Sequence, residues 1–306
     1  FIPGGESIWR DIKSWGDYIY IGTENNSGGI QVVSMEDPDN PELVYTWEGM
    51  GSSHNIMVSE GYLYVIGASD VAYLIILSLE DPAYPEQVGI WNEEYLHDIC
   101  FDGDILYGCG IYTSTMFAID ISEPQNPQTI NYWDNVPSAH ACWPTEDGQY
   151  LLTASETSSG HIMIWDVNDL YNVNLVSEWL PEGAEWESAH NVFVRDNYAY
   201  MSYYKYGLQI IDITDPYVPT LAGYYDTYPS DEGGLYNGAW GTYPFQQSCN
   251  LYISDRESGL FVVSFDGCTG ADYNDPMPPS DVNVYSDYLS PEYISLTWTI
   301  PESYFD

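Results

Sequence analysis

The chain has 306 residues, with 47 Asp and Glu against 5 Lys and Arg and a formal charge of −42. Aromatic residues make up 16 %, including 30 Tyr and 11 Trp, which excludes a disordered chain, since disorder combines high charge with few aromatics. The charge also excludes nucleic acid and anionic membrane surfaces as partners and makes divalent cations, above all Ca2+, the expected company of the surface.

From Phe1 onward no run approaches the roughly 18 consecutive apolar residues of a membrane helix, so no membrane insertion is expected in this segment. The absence of an initial Met leads us to expect an N-terminal part that is processed away or lies outside this sequence. The first polar strand position is Arg10-Asp11-Ile12, followed by the alternating strand Tyr18-Ile19-Tyr20-Ile21 and the apolar run Ile30-Gln31-Val32-Val33. Period-two alternation predicts a sheet strand, and the continuous apolar run predicts a strand buried on both faces. A turn at Glu36-Asp37-Pro38 then leads to a strand ending in Trp47.

This order recurs. Asp37, Asp81, Glu123, Asp169 and Asp215 mark successive turns 44, 42, 46 and 46 residues apart, and Trp47, Trp91, Trp133, Trp179 and Tyr225 follow at the same intervals. A fixed period in this range signals propeller blades or another repeat array. The fourth copy, Asn168-Asp169-Leu170, lacks the Asp-Pro pair. Six copies of four strands, with no convincing helix, predict an all-β propeller. The aromatics after the turns are expected to pack between neighbouring blades.

The leading strands place His54, His97, His140 and His190 at one repeat position, with Arg10 and Asn237 at its two ends. In a propeller these six would line a central channel. Neutral imidazoles there could ligate a transition metal such as Zn2+, bind a ligand, or only bond backbone groups. Arg10 could offset an acidic channel or bind an anion. The adjacent Asn55, Asp98 and Asn191 point the other way and are expected to stitch blades together. His161, on the buried strand, is expected to be structural. No Ser-His-Asp order, phosphate-cradling Gly loop or Cys-x-x-Cys spacing occurs.

Of five cysteines, Cys249 and Cys268 flank the last strand pair and are expected to meet as a disulfide, which implies an oxidising compartment; Cys100, Cys109 and Cys142 are expected to be buried thiols. Residues 267–279 read as a Gly/Pro/Asp linker, in which Asp272, Asn274 and Asp275 are candidate Ca2+ ligands.

The stretch Gly207-Leu208-Gln209-Ile210-Ile211-Asp212-Ile213-Thr214-Asp215-Pro216 resembles the LVIVD repeat. Together with Trp9-Arg10-Asp11, His54-Asn55, His97-Asp98 and His190-Asn191 it is similar to the choice-of-anchor B family of bacterial surface proteins. That resemblance spans roughly residues 5–266 and implies an extracellular or surface-anchored bacterial or archaeal protein, with no enzymatic activity to carry over. The family commonly has a further blade before the Trp-Arg-Asp motif, which leaves six or seven blades open. Residues 280–306, with Val282-Asn283-Val284 and Leu296-Thr297-Trp298, resemble the first two strands of a fibronectin type III domain, so either the polypeptide continues or another chain completes that sheet.

The expected organisation is therefore a propeller over 1–266, a linker over 267–279 and a partial sandwich over 280–306. The first functional expectation is a non-enzymatic surface or filament protein that contacts identical subunits, other surface proteins or glycans. A metal-dependent hydrolase or lactonase and a glycan-binding adhesin are the alternatives.

Overall fold

The computed structural model describes residues 2–7, 9–25, 28–67, 74–230, 233–246 and 248–268, and the backbone of 280–286 and 294–299. Two compact units divide the chain, Phe1–His140 and Ala141–Asp306. Among the described residues all regular structure is strand.

The first sheet takes β1 (Arg10–Trp15), β2 (Tyr18–Thr23), β3 (Ile30–Ser34) and β4 (Glu42–Trp47). The second takes β5 (Asn55–Ser59), β6 (Tyr62–Ile66), β7 (Leu74–Ser78) and β8 (Glu86–Trp91). The third takes β9 (Asp98–Asp102), β10 (Ile105–Gly110), β11 (Thr115–Asp120) and β12 (Gln128–Asp134). The fourth takes β13 (Ala139–Pro144), β14 (Tyr150–Ser155), β15 (Ile162–Asp166) and β16 (Asn174–Trp179). The fifth takes β17 (Val192–Arg195), β18 (Tyr198–Ser202), β19 (Leu208–Asp212) and β20 (Thr220–Tyr225). The sixth has three described strands, β21 (Ala239–Tyr243), β22 (Asn250–Asp255) and β23 (Gly259–Ser264), where the repeat predicts four. Each sheet is an antiparallel meander in chain order.

The apolar third strands β7, β11, β15 and β19 are buried over four or five consecutive residues, whereas β23 of the sixth sheet is only half-buried. Leu63 and Val65 of β6 join a core with Tyr20, Ile30 and Val32 of the first sheet. Their neighbours Tyr64 and Ile66 join another with Ile99, Leu106 and Ile119 of the third. In the second unit Ala199 and Met201 of β18 face Leu152 and Ile164, whereas Tyr200 faces Leu251 and Ile253. Alternation along one strand thus feeds two cores, and each fully buried aliphatic side chain contributes about 1.5–3 kcal/mol of transfer free energy.

The turns explain the recurring acid. Asp81 Oδ1 accepts the Ala83 N–H at 3.1 Å, and Asp215 Oδ1 accepts the Tyr217 N–H at 3.0 Å, as Asx turns. Asp169 does the same with Tyr171 at 3.1 Å, and its carbonyl accepts the Asn172 N–H at 2.8 Å. The fourth copy therefore keeps its turn without proline, because the aspartate makes it.

Three of the turns also dock on the sheet before them in the chain. Tyr20 Oη donates to Pro82 O at 2.8 Å, and Ser177 Oγ donates to Pro216 O at 2.6 Å. At Gly89, one repeat position with Ser177, a Cβ would lie 1.9 Å from Pro124 O. Opposite these docking sites the third and fourth strands slip register by one residue in all five complete sheets, between Val32 and Val33, Ile76 and Leu77, Ala118 and Ile119, Ile164 and Trp165, and Ile210 and Ile211. Such a bulge bends the outer strand and raises its twist.

The aromatics that close the outer strands pack partly as expected. Trp91 Nε1 donates to Thr129 Oγ1 at 2.9 Å, and its ring meets Phe117 of the next sheet at 5.4 Å. Tyr225 meets Phe261 at 5.7 Å but stays 41 % exposed. Cys249 and Cys268 are joined as a disulfide, and Cys100, Cys109 and Cys142 are buried. The strands β24 (Ser280–Ser286) and β25 (Ile294–Thr299) pair with each other as an antiparallel two-stranded sheet.

Candidate functional site

In the first unit the repeat position that carries histidine builds a ladder of rings. His54 and His97 immediately precede β5 and β9, where each backbone N–H is held by the end of the adjoining strand, His54 by Ile66 O at 3.0 Å and His97 by Cys109 O at 2.8 Å. Gly67 permits this approach: its φ is +68°, and a Cβ would fall 2.3 Å from His54 Cβ. Centroids lie 4.3 Å apart for Trp9 and His54, 4.1 Å for His54 and His97, and 4.4 Å for His97 and His140.

The three imidazoles have different surroundings. His54 Nδ1 lies 2.7 Å from Glu24 Oε1, a carboxylate that orients the ring and favours the Nδ1–H tautomer. His97 Nε2 is buried and has no hydrogen-bond partner among the described residues. Desolvation, reinforced by the neighbouring His140 and His54, lowers the His97 pKa to about 2, so the ring is neutral at physiological pH. His140, inside β13, is buried.

Beneath the ladder the alternate residues knit the sheets, as strand alternation predicts. Asn55 Nδ2 donates to Asp98 Oδ1 at 2.7 Å, and Asp11 Oδ2 accepts the Ile56 N–H at 2.9 Å. Lys13 Nζ holds Asp11 at 2.6 Å. Burial pushes the Asp98 pKa up to about 7, against the pull of the Ile99 N–H and of Lys13.

Arg10 is not part of this ladder. Its exposed guanidinium donates to the carbonyl oxygens of Ser7, at 2.8 Å, and Gly5, and Trp9 takes the place beside His54. Trp9 fits because its flat ring stacks on the imidazole while Nε1 donates to His54 O. The adjoining Trp9-Arg10 pair was visible in the sequence, but the side chain that turns inward was not.

In the second unit His190 meets a different company. Its ring lies 4.2 Å from Trp240 and 5.2 Å, edge-on, from Tyr204. Tyr204 Oη donates to Glu156 Oε1, and Arg256 sits over Trp240 with its guanidinium carbon 5.1 Å from the ring centroid. Desolvation raises the Glu156 pKa against the opposing pulls of Tyr204 and Arg256. The Tyr204 pKa is raised by burial and by Glu156 beside it. Arg256 Nη1 also donates to Tyr236 O at 2.6 Å.

Asn237 precedes β21 and is tied elsewhere, its Nδ2 donating to Glu257 Oε1 at 2.6 Å and its Oδ1 accepting the Gly234 N–H at 2.7 Å. His161 corrects the expectation of a buried strand residue. It precedes β15, is only half-buried, and pairs through Nδ1 with Glu178 at 2.8 Å. Asp272, Asn274 and Asp275 lie outside the described residues. Glu24, Glu156, Tyr204, Trp240 and Arg256 were not singled out from the sequence, because their partners come from other strands.

Comparison with known proteins places this geometry in a fold. The LVIVD repeat model matches residues 50–93 and 187–227. No curated protein matches the chain. Among solved structures, a candidate 6-phosphogluconolactonase from Bacteroides fragilis aligns with a TM-score of 0.68 at 11 % identity, over 85 % of this chain and 81 % of that one. The periplasmic gluconolactonase of Pseudomonas aeruginosa aligns with 0.67 at 11 %, over 86 % and 82 %. A hypothetical selenium-binding protein of Sulfolobus tokodaii aligns with 0.63 at 14 %, over 78 % and 67 %.

The chain is an all-β six-bladed β-propeller that carries LVIVD repeats. At these identities the likeness concerns fold alone.

Proposed function

We propose that this propeller is a non-enzymatic extracellular interaction module of a bacterial or archaeal surface protein, in the manner of the choice-of-anchor B family, with its C-terminal part leading into a fibronectin type III-like spacer. The observation that carries the reading is the outer strand of the fifth sheet. On β20 and its preceding turn Tyr217, Val218, Leu221 and Tyr224 are exposed, Tyr224 by 69 %, on a chain whose charge of −42 otherwise favours solvation. The corresponding outer strand of the second sheet ends in Trp91, only 3 % exposed. Exposed apolar and aromatic side chains grouped on one edge suit a protein partner, here an identical subunit.

Sedimentation velocity tests this. Raising the salt or adding Ca2+ screens the acidic surface, so association of the wild-type chain increases, and the double substitution Leu221→Lys, Tyr224→Lys abolishes it. A chain that stays monomeric under every condition overturns the subunit reading, and retention on immobilised glycans through Trp186 or Tyr171 would move it to an adhesin.

A lactone-opening hydrolase is the second reading, favoured by the likeness to the gluconolactonase structures. Acid release from aldonolactones in a pH-stat, with and without added divalent metal, checks it.

A further inference from the structure

The histidine ladder of the first unit offers something the interaction reading does not use. The ligand atoms of His97 and His140 lie within 4.8 Å of one another. Two imidazole nitrogens that share one tetrahedral ion stand about 3.3 Å apart, given metal–nitrogen distances of about 2.0–2.1 Å, so the two rings lie within the range that one bound ion would draw together. His97 Nε2 is buried with no hydrogen-bond partner among the described residues, an arrangement that costs free energy unless something accepts its lone pair or proton. His140 is 5 % exposed, so water competes poorly at this position.

Beside them, the Glu24 carboxylate orients His54, whose ring packs on that of His97.

We propose that His97 and His140 form a binding site for one borderline transition cation of the Zn2+ class, with its remaining coordination positions open to water or an external ligand. Imidazole selects such ions over Ca2+, which takes hard oxygen ligands, and the chain's net negative field concentrates cations of either kind. The neutral His97 ring binds without first losing a proton. Ring packing by itself accounts for the ladder but leaves the buried nitrogen of His97 unexplained.

Co2+ is the probe, because its ligand-field absorption reports coordination. Chelator-treated full-length chain is titrated in a large excess of Ca2+, which occupies the surface carboxylates. The expected result is one equivalent of Co2+ bound, with X-ray absorption at the cobalt edge showing scattering from at least two imidazoles. His97→Gln and His140→Gln each weaken binding by at least about tenfold, whereas His161→Gln leaves it unchanged. Cobalt surrounded only by oxygen in the wild-type chain, which needs no variant to fold, overturns the site. So does equal affinity in His97→Gln.

Discussion

His97 and His190 occupy the same point of the repeat, yet one stands in a stack of imidazoles and the other between a tryptophan and the edge of a tyrosine. In the first unit the neighbouring repeats also supply histidine, so the rings see each other and the middle one is held neutral. In the second unit the neighbours are Tyr204 and Trp240, and Tyr204 donates to Glu156, whose pKa desolvation raises. The repeat fixes where a side chain begins, and the neighbouring strands decide what it becomes.

The contrast can be broken most strongly at the docking glycines. Gly89 and Gly223 share a repeat position, but a Cβ at Gly89 would lie 1.9 Å from Pro124 O, whereas at Gly223 the nearest atom is Phe265 Cε2 at 3.4 Å. Gly89→Ala should cost about 3 kcal/mol or more in denaturant unfolding, because a backbone carbonyl cannot move aside, and Gly223→Ala should stay within about 0.5 kcal/mol. Equal effects would mean that the close approach of Pro124 O to Gly89 relaxes without cost.

The next effect lies in the acid limb of stability. His97 has its folded pKa below its unfolded value, so the unfolded chain takes up a proton first and stability falls as pH drops from about 6.5 towards 2. His97→Gln should remove about 2 kcal/mol of that loss at pH 5 and nothing at pH 8. Thermal melts of both chains across this range check it, and parallel curves would place an ordinary, solvated histidine there.

Asp98 titrates with the opposite sign and a smaller expected amplitude. Its folded pKa is raised to about 7, so the folded chain holds the proton more tightly and stability falls as pH rises from about 4 through 7. Asp98→Asn keeps an oxygen for the Asn55 amide and the Ile99 N–H while removing the charge. It should stabilise the chain by roughly 1 kcal/mol at pH 8, partly discounted for solvent, and by nothing at pH 4. A destabilised variant at pH 8 would show that the charge is favourable, and that Lys13 outweighs burial.

Much of the fold was legible in the residues. Alternating Tyr18-Ile19-Tyr20-Ile21 became the second strand of the first sheet and the run Leu208-Gln209-Ile210-Ile211 the third strand of the fifth, since periodicity is a local property that burial rewards wherever the strand lies. The missing Pro at Leu170 misled only slightly, because Asp169 by itself supplies the turn. The candidate site was legible in part. Repeat spacing found His54, His97 and His140, but Arg10 was placed with them by position alone. A long charged side chain at the first strand finds carbonyls of its own N-terminal segment instead.

By itself the sequence determined the period, the strand content, the turn chemistry and the histidine position, all of which follow from backbone geometry and from which faces must leave water. Tertiary structure decided that Trp9 replaces Arg10 at the ladder's end, that His97 has a buried nitrogen without a partner among the described residues, and that Glu156 meets Tyr204. These contacts join residues from different repeats. Their energies depend on distances of a few ångströms, which no spacing along the chain encodes.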